Sequence, residues 1–226
     1  MTAKEKLTNL ANAFRNQTGK TNSLSIDKMI EIAATPNFLI RHINNKQRPS
    51  DGNMIINAED VYGITAIKER MFDKTFFINK FTLPNTVTRI DGYAFRDCGS
   101  LQYIYLPSSI NTFGTTPFSG SALGEADIHC NVSGDVFYGS ENLHTVKIGE
   151  EVTEIGGACF MKCYALNKVI IYGNRICTLN AEFAFGDNSI VPNSATPIKN
   201  GTGHIYVPSH LVEDYKAATN WSLFAD

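Results

Sequence analysis

Apolar positions recur along this chain in a rhythm that is neither a helical period nor a simple alternation. From Ile64 to Pro84, and again from Val87 to Pro107, the apolar anchors repeat with a shift of 23 residues. Ile64 answers to Val87, Ile67 to Ile90, Phe72 to Phe95, Ile78 to Leu101, Phe81 to Ile104 and Leu83 to Leu106. The next copy keeps its first half at Ile110, Phe113 and Phe118, and its second half reads as lengthened through "SALGEADIHC". A short copy follows at Phe137, Leu143, Val146 and Ile148, and the same step leads on to Phe160, Leu166, Val169 and Ile171. The last copy opens at Ile176 and Leu179, keeps Ala184 and Phe185, takes an insertion of about a dozen residues and closes on "HIYVP".

The unit is V/I-x-x-I, then A-F, then L-x-x-I-x-L-P. Its I-x-L alternation predicts a short strand with alternate side chains facing in and out, and the rest forms the return side of a coil. One coil cannot bury its own apolar face, whereas stacked coils share a continuous core. Residues 55–208 are therefore expected to form a β-rich solenoid of coils about 23 residues long.

The flanks differ. Leu7, Leu10, Ala11 and Phe14 make the apolar stripe of one short helix, which Gly19 ends. Ser25 can cap a second, carrying Ile26, Met29, Ile30 and Ala33 before Pro36. Helices this short are marginal alone. Residues 1–35 are thus expected to be an attachment or oligomerisation segment working through Leu7, Leu10, Phe14, Ile26, Met29 and Ile30. Residues 36–54 read as a linker or an irregular first coil. Residues 209–226 read as a helical C-terminal cap, with Leu211, Tyr215 and Trp221 covering the last coil. An uncapped solenoid would leave strand edges and core open.

The repeat resembles the BspA-type leucine-rich repeat of bacterial surface proteins, with "AFRDCGSLQYIYLP" and "EEVTEIGGACFMKCYALNKVIIYG" its best copies. The segment "IYVPSHLVEDYKAATNWSLFAD" resembles the piece that often closes such arrays. Separately, "LTNLANAFRNQTGKTNSLSIDKMIEIA" resembles a short helical segment of tail and fibre proteins in bacteriophages of Gram-positive hosts. These resemblances imply a solenoid of leucine-rich repeats with a short α-helical N-terminal segment, in a non-enzymatic virion protein of tail or head fibre type. It would be made in the host cytoplasm and joined to other virion proteins through residues 1–35. It would be a homo-oligomer, a trimer by analogy with fibres, displaying the repeats toward a host-surface protein or glycan. The same repeats leave open a bacterial cell-surface adhesin.

Composition narrows the classes. The chain has 226 residues, 43% apolar and 19% charged, with a net charge of −2, so no field favours nucleic acid or an anionic membrane. No run approaches the ~18 apolar residues of a membrane span. The N-terminus lacks the apolar stretch of a secretory leader, so synthesis in a reducing cytosol is expected. There is no phosphate-cradling glycine loop and no zinc-ligand spacing, so neither cofactor nor metal is expected.

The five cysteines call for packing rather than chemistry. Cys98 and Cys163 share one repeat slot, Cys159 takes the small slot of Ala94 and Ala184, and Cys130 takes the inward strand slot of Leu106 and Ile148. Cys177 aligns with Thr88 and Thr153 and is expected to be the accessible thiol.

What the core does not absorb is the outward strand face. Its expected pairs are Lys80/Thr82, Tyr103/Tyr105, Asp127/His129, Thr145/Lys147, Lys168/Ile170 and His204/Tyr206. Coils stacked about 4.8 Å apart would merge them into one patch. Tyr103, Tyr105, Asp127, His129, Lys147, Lys168, His204 and Tyr206 are the candidate binding residues, since exposed Tyr among Lys, His and Asp suits recognition. The same pairs could simply stabilise the sheet. Asp127 with His129 also leaves a cell-wall glycan hydrolase as the minor alternative, although no motif places a nucleophile beside them.

Overall fold

The computed structural model describes residues 54–61, 63–186 and 196–225. The helices expected in residues 1–35, with Leu7, Leu10, Phe14, Ile26, Met29 and Ile30, lie outside the described residues.

Every I-x-L segment is a strand, and seven of them form one wholly parallel sheet. In spatial order they are β1 (Met54–Ile56), β3 (Ile78–Thr82), β5 (Tyr103–Leu106), β7 (Glu125–Ile128), β8 (Thr145–Ile148), β10 (Lys168–Ile171) and β12 (His204–Tyr206). The V-x-x-I segments give shorter strands on the return side. There β2 (Ala66–Ile67), β4 (Arg89–Ile90) and β6 (Thr112–Phe113) pair in one group, and β9 (Glu154–Ile155) pairs with β11 (Thr178–Leu179) in another. Val132 bridges to Ile155 between them. Strand order follows chain order, so each coil touches chiefly its neighbours, as expected of a solenoid.

The inward residues of β5, β7, β8 and β10 are Ile104/Leu106, Ala126/Ile128, Val146/Ile148 and Val169/Ile171, all buried. Between the two sheet faces runs a column of phenylalanines, one from each A-F turn. Phe72, Phe95, Phe118, Phe137, Phe160 and Phe185 stack ring on ring at 5.1–5.6 Å, with interplanar angles of 9–17°. The repeat places the rings at coil spacing, and stacking then follows from flat surfaces sharing one dry channel.

Two sets of backbone bonds join the coils. On the strand side, N–H groups donate back to the preceding coil, as from His129 to Leu106 and from Gly149 to Ile128. At the phenylalanine turns they donate forward, as from Phe95 to Pro117, Phe137 to Cys159 and Phe160 to Ala184. Each turn needs a left-handed residue, and Lys74, Asp97, Gly120, Gly139 and Lys162 supply it with φ between 53° and 71°. Glycine adopts that region without a Cβ penalty, whereas the other three are held there by the coil-to-coil bonds.

Two expectations fail here. The third coil is not lengthened: Tyr103 pairs with Glu125 and Leu106 with Ile128, so the coil is one residue short of the usual step. Its inward anchors are Ala126 and Ile128, not Ile128 and Cys130. Cys130 is buried just beyond the strand instead. Ala126 is too small to read as an anchor in the sequence, and choosing the next apolar residue slipped the frame by two.

Cys177 is also not the accessible thiol: it is 1% exposed, whereas Ile176 beside it is 37% exposed. The cap explains this. After a 3-10 turn at Ser209–Leu211 comes a six-residue helix, α1 (Val212–Ala217), and a 3-10 turn at Trp221–Phe224. The Cys177 N–H donates to the Tyr215 hydroxyl at 2.9 Å, and the Trp221 indole N–H donates to the Cys177 carbonyl at 2.6 Å. Asn220 donates its amide to the Leu179 carbonyl at 2.7 Å. Phe224 meets Phe185 edge-on at 5.3 Å and ends the ring column. The helical cap is present and small.

Candidate recognition face

The corrected register fixes which outward residues are neighbours. One column runs Lys80, Tyr103, Glu125, Thr145, Lys168, His204. The other runs Thr82, Tyr105, Asp127, Lys147, Ile170, Tyr206. The frame slip hid Glu125, which stands where Asp127 was expected. His129 follows β7 and lies beside the second column, one outward slot beyond Asp127. Reading Ala126 as the first inward anchor would have found Glu125.

At the centre the side chains bond one another. The Tyr103 hydroxyl donates to Asp127 Oδ2 at 3.2 Å, while Asp127 Oδ1 meets His129 Nε2 at 3.1 Å. His129 Nδ1 meets Glu151 Oε2 at 3.0 Å, and the His129 ring lies 5.0 Å from Tyr105. Lys147 reaches Glu125 at 2.6 Å, and Lys80 sits 4.4 Å above the Tyr103 ring. Further along, Lys168 stands 5.5 Å from the Tyr206 ring, which is edge-on to His204 at 6.2 Å. Seven of the eight sequence candidates therefore occupy strand slots in one continuous face, and His129 joins them from the strand end.

The electrostatics follow from these contacts. Partial burial, with Asp127 beside it, pushes the Tyr103 phenol well up, so it stays a donor. Burial raises Tyr105 in the same direction, helped by Asp127 and Glu151. Glu151 is held below the usual carboxylate range by a backbone hydrogen bond and by His129. Lys147 is raised by its bond to Glu125. Each ring nitrogen of His129 lies within hydrogen-bond distance of a carboxylate, so the imidazole bridges Asp127 and Glu151.

The shared slot of Cys98 and Cys163 has a chemical reason. Cys98 Sγ contacts the Phe72 carbonyl at 2.9 Å and Cys163 Sγ the Phe137 carbonyl at 3.1 Å. Ser140 fills the same slot and donates to the Phe118 carbonyl at 3.1 Å. Ser121 is the fourth member, and among the described residues its hydroxyl finds no partner. In three of these four coils the slot holds a small donor that closes on the preceding coil's phenylalanine carbonyl, and thiol and hydroxyl interchange there. The recurrence of Ser at 121 and 140 was the available signal. Burial raises every thiol: Cys98, Cys130 and Cys177 to about 12, and Cys159 and Cys163 further in the same direction. Thiolate chemistry is thereby suppressed. No group of described residues has the makings of a metal site. No helix among the described residues is long and apolar enough to cross a membrane.

A parallel solenoid whose large sheet turns two residue columns in and two out defines a repeat scaffold. The family model for the BspA type leucine rich repeat region matches residues 65–191, more than half of the chain. The chain belongs to that family. Among solved structures it is similar to a leucine rich cell surface protein from Faecalibacterium prausnitzii A2-165, at 16% identity and a TM-score of 0.29. That match covers 73% of this chain and 61% of the other, so the chain spans about three fifths of that protein's length. No curated protein matches the sequence.

Proposed function

We propose that this chain is a non-enzymatic recognition protein that binds a surface protein or glycan through the outward face centred on Tyr103 and Tyr105. The observation that carries it is the bonded arrangement of that face. Tyr103, Asp127, His129 and Glu151 form one chain of contacts across three coils, with Tyr105 against the imidazole. Side chains already held in place lose little entropy when a partner docks, so a rigid face of this kind suits binding.

Two settings have separate support. The N-terminal string "LTNLANAFRNQTGKTNSLSIDKMIEIA" favours a phage particle, where residues 1–35 would anchor and oligomerise the chain. The repeat family favours a bacterial cell-surface adhesin equally well. The test is adsorption of purified chain to host cells, comparing the wild type with Tyr103→Ala/Tyr105→Ala. The reading expects the double variant to melt close to the wild type and to adsorb at least tenfold more weakly. Equal adsorption would leave the tyrosines as sheet decoration and remove the proposal. Antibody labelling of particles and of cells then separates the two settings.

A further inference from the structure

The sheet ends at β12, where the seventh coil has no successor, and a cavity opens between this strand and the cap. Its volume is about 480 Å³, and Ile198, Lys199, Asn200, Ile205, Tyr206 and Phe224 are among its lining residues. That volume is within the ~300–1,000 Å³ of small-ligand sites.

The lining combines three kinds of group. The first is aromatic: Tyr206 is half exposed, and Phe224 packs edge-on against Phe185, the last ring of the core column. The second is cationic. Lys199 stands 5.6 Å from the Phe224 ring, and Lys168, outside the lining, stands 5.5 Å from the ring of the lining residue Tyr206. Among the described residues neither ammonium has a carboxylate partner, and no Asp or Glu lines the cavity. Lys147 on the same face is paired with Glu125, whereas Lys168 and Lys199, like Lys80 near the other end, stand against rings. The third is a set of hydrogen-bonding groups. Asn200 contributes its amide. The His204 N–H donates to Asn167, so strand alternation turns the Ile205 N–H and carbonyl outward, to the edge that no strand among the described residues covers.

The geometry points to a binding site for one anionic saccharide unit, whose charge is a carboxylate or a phosphate. A sugar presents an apolar C–H face and a hydroxyl rim together, which matches rings beside amide and strand-edge groups. The unpaired lysines select the charged sugar over the neutral one, since an ammonium beside low-dielectric walls favours an anion. This inference rests on the reading of the outward face as a recognition surface, and it assigns a ligand class to the terminal end of that face.

The test is an amide-resolved NMR titration of the full chain with sodium glucuronate, glucose 1-phosphate and glucose, each at millimolar concentration. One or both anions should shift the Asn200 and Ile205 amides, and glucose should bind at least tenfold more weakly. Lys199→Gln and Tyr206→Ala should each weaken the responding anion at least tenfold while leaving the thermal midpoint near the wild type. The two anions together identify the charge carrier. Absence of a shift with both, equal binding of glucose, or unchanged binding in both variants would overturn the assignment. No cells enter this titration, so it can fail while the Tyr103/Tyr105 adsorption test succeeds, and the reverse.

Discussion

The phenylalanine column inside the solenoid and the two outward columns of its large sheet come from the same coils, but they are built on different terms. Inside, six coils supply one residue type, and each ring has a ring above or below it at 5.1–5.6 Å. Outside, no slot repeats its chemistry for more than a coil: Tyr105 is followed by Asp127, Lys147 and Ile170. A dry interior at native packing density accepts only one shape at each level, because a mismatch opens a void or forces a clash. The outward slots meet water on one side and tolerate any side chain that its neighbours can satisfy. The difference teaches where to seek function in such a scaffold: in the slots that depart from repetition.

The largest expected effect lies inside. Phe118→Ala removes a ring with a stacked neighbour on each side and should lower unfolding stability by about 3–5 kcal/mol. Urea unfolding followed by circular dichroism checks this, and a loss below about 1 kcal/mol would break the contrast between the columns.

Next comes alkaline pH. An unfolded thiol ionises near pH 9, whereas Cys98, Cys130 and Cys177 are held to about 12 in the fold. Between these values the unfolded chain has lost protons that the folded chain keeps. The stabilisation is therefore whole below pH 9 and falls as pH rises toward 12. The urea midpoint should begin to drop near pH 9. Tyr103→Phe should keep most of that drop, because the buried thiols outnumber the single phenol it removes. A drop abolished by Tyr103→Phe would reverse the assignment.

A smaller effect tests the shared donor slot. Cys163→Ser keeps a donor for the Phe137 carbonyl and should stay within about 1 kcal/mol of the wild type. Cys163→Ala removes one of that carbonyl's two donors, leaving the Ser140 N–H, and should cost about 0.5–1.5 kcal/mol more. Equal stability of the two would show that the slot selects size alone. The smallest effect is outside: His129→Ala should change stability by less than about 1 kcal/mol, since its partners are partly solvated. A loss as large as that of Phe118→Ala would show that the outward network is structural.

Much of this was legible in the chain. The anchors Ile90, Phe95, Leu101, Ile104 and Leu106 are large, and each recurs, so their spacing states the coil directly. The face residues followed from alternation wherever the strand frame was right. It failed at Ala126, because a small side chain can hold an inward slot when its neighbours Ile104 and Val146 fill the space. It failed again at Cys177, whose burial is imposed by Tyr215 and Trp221 from far along the chain. No local pattern carries that information. The cavity beside β12 was illegible for the same reason, since Phe224 and Lys199 meet only in three dimensions.

The cap contacts at Cys177 and Leu179 have a wider consequence. The Tyr215 hydroxyl, the Trp221 indole and the Asn220 amide engage backbone groups of Cys177 and Leu179 that another return strand would have bonded. Three side chains thus impersonate a strand and offer no template for the one after it. In the language of polymer growth they are a terminator for the return side: that sheet stops at β11, and a neighbouring strand arriving there finds these groups already taken.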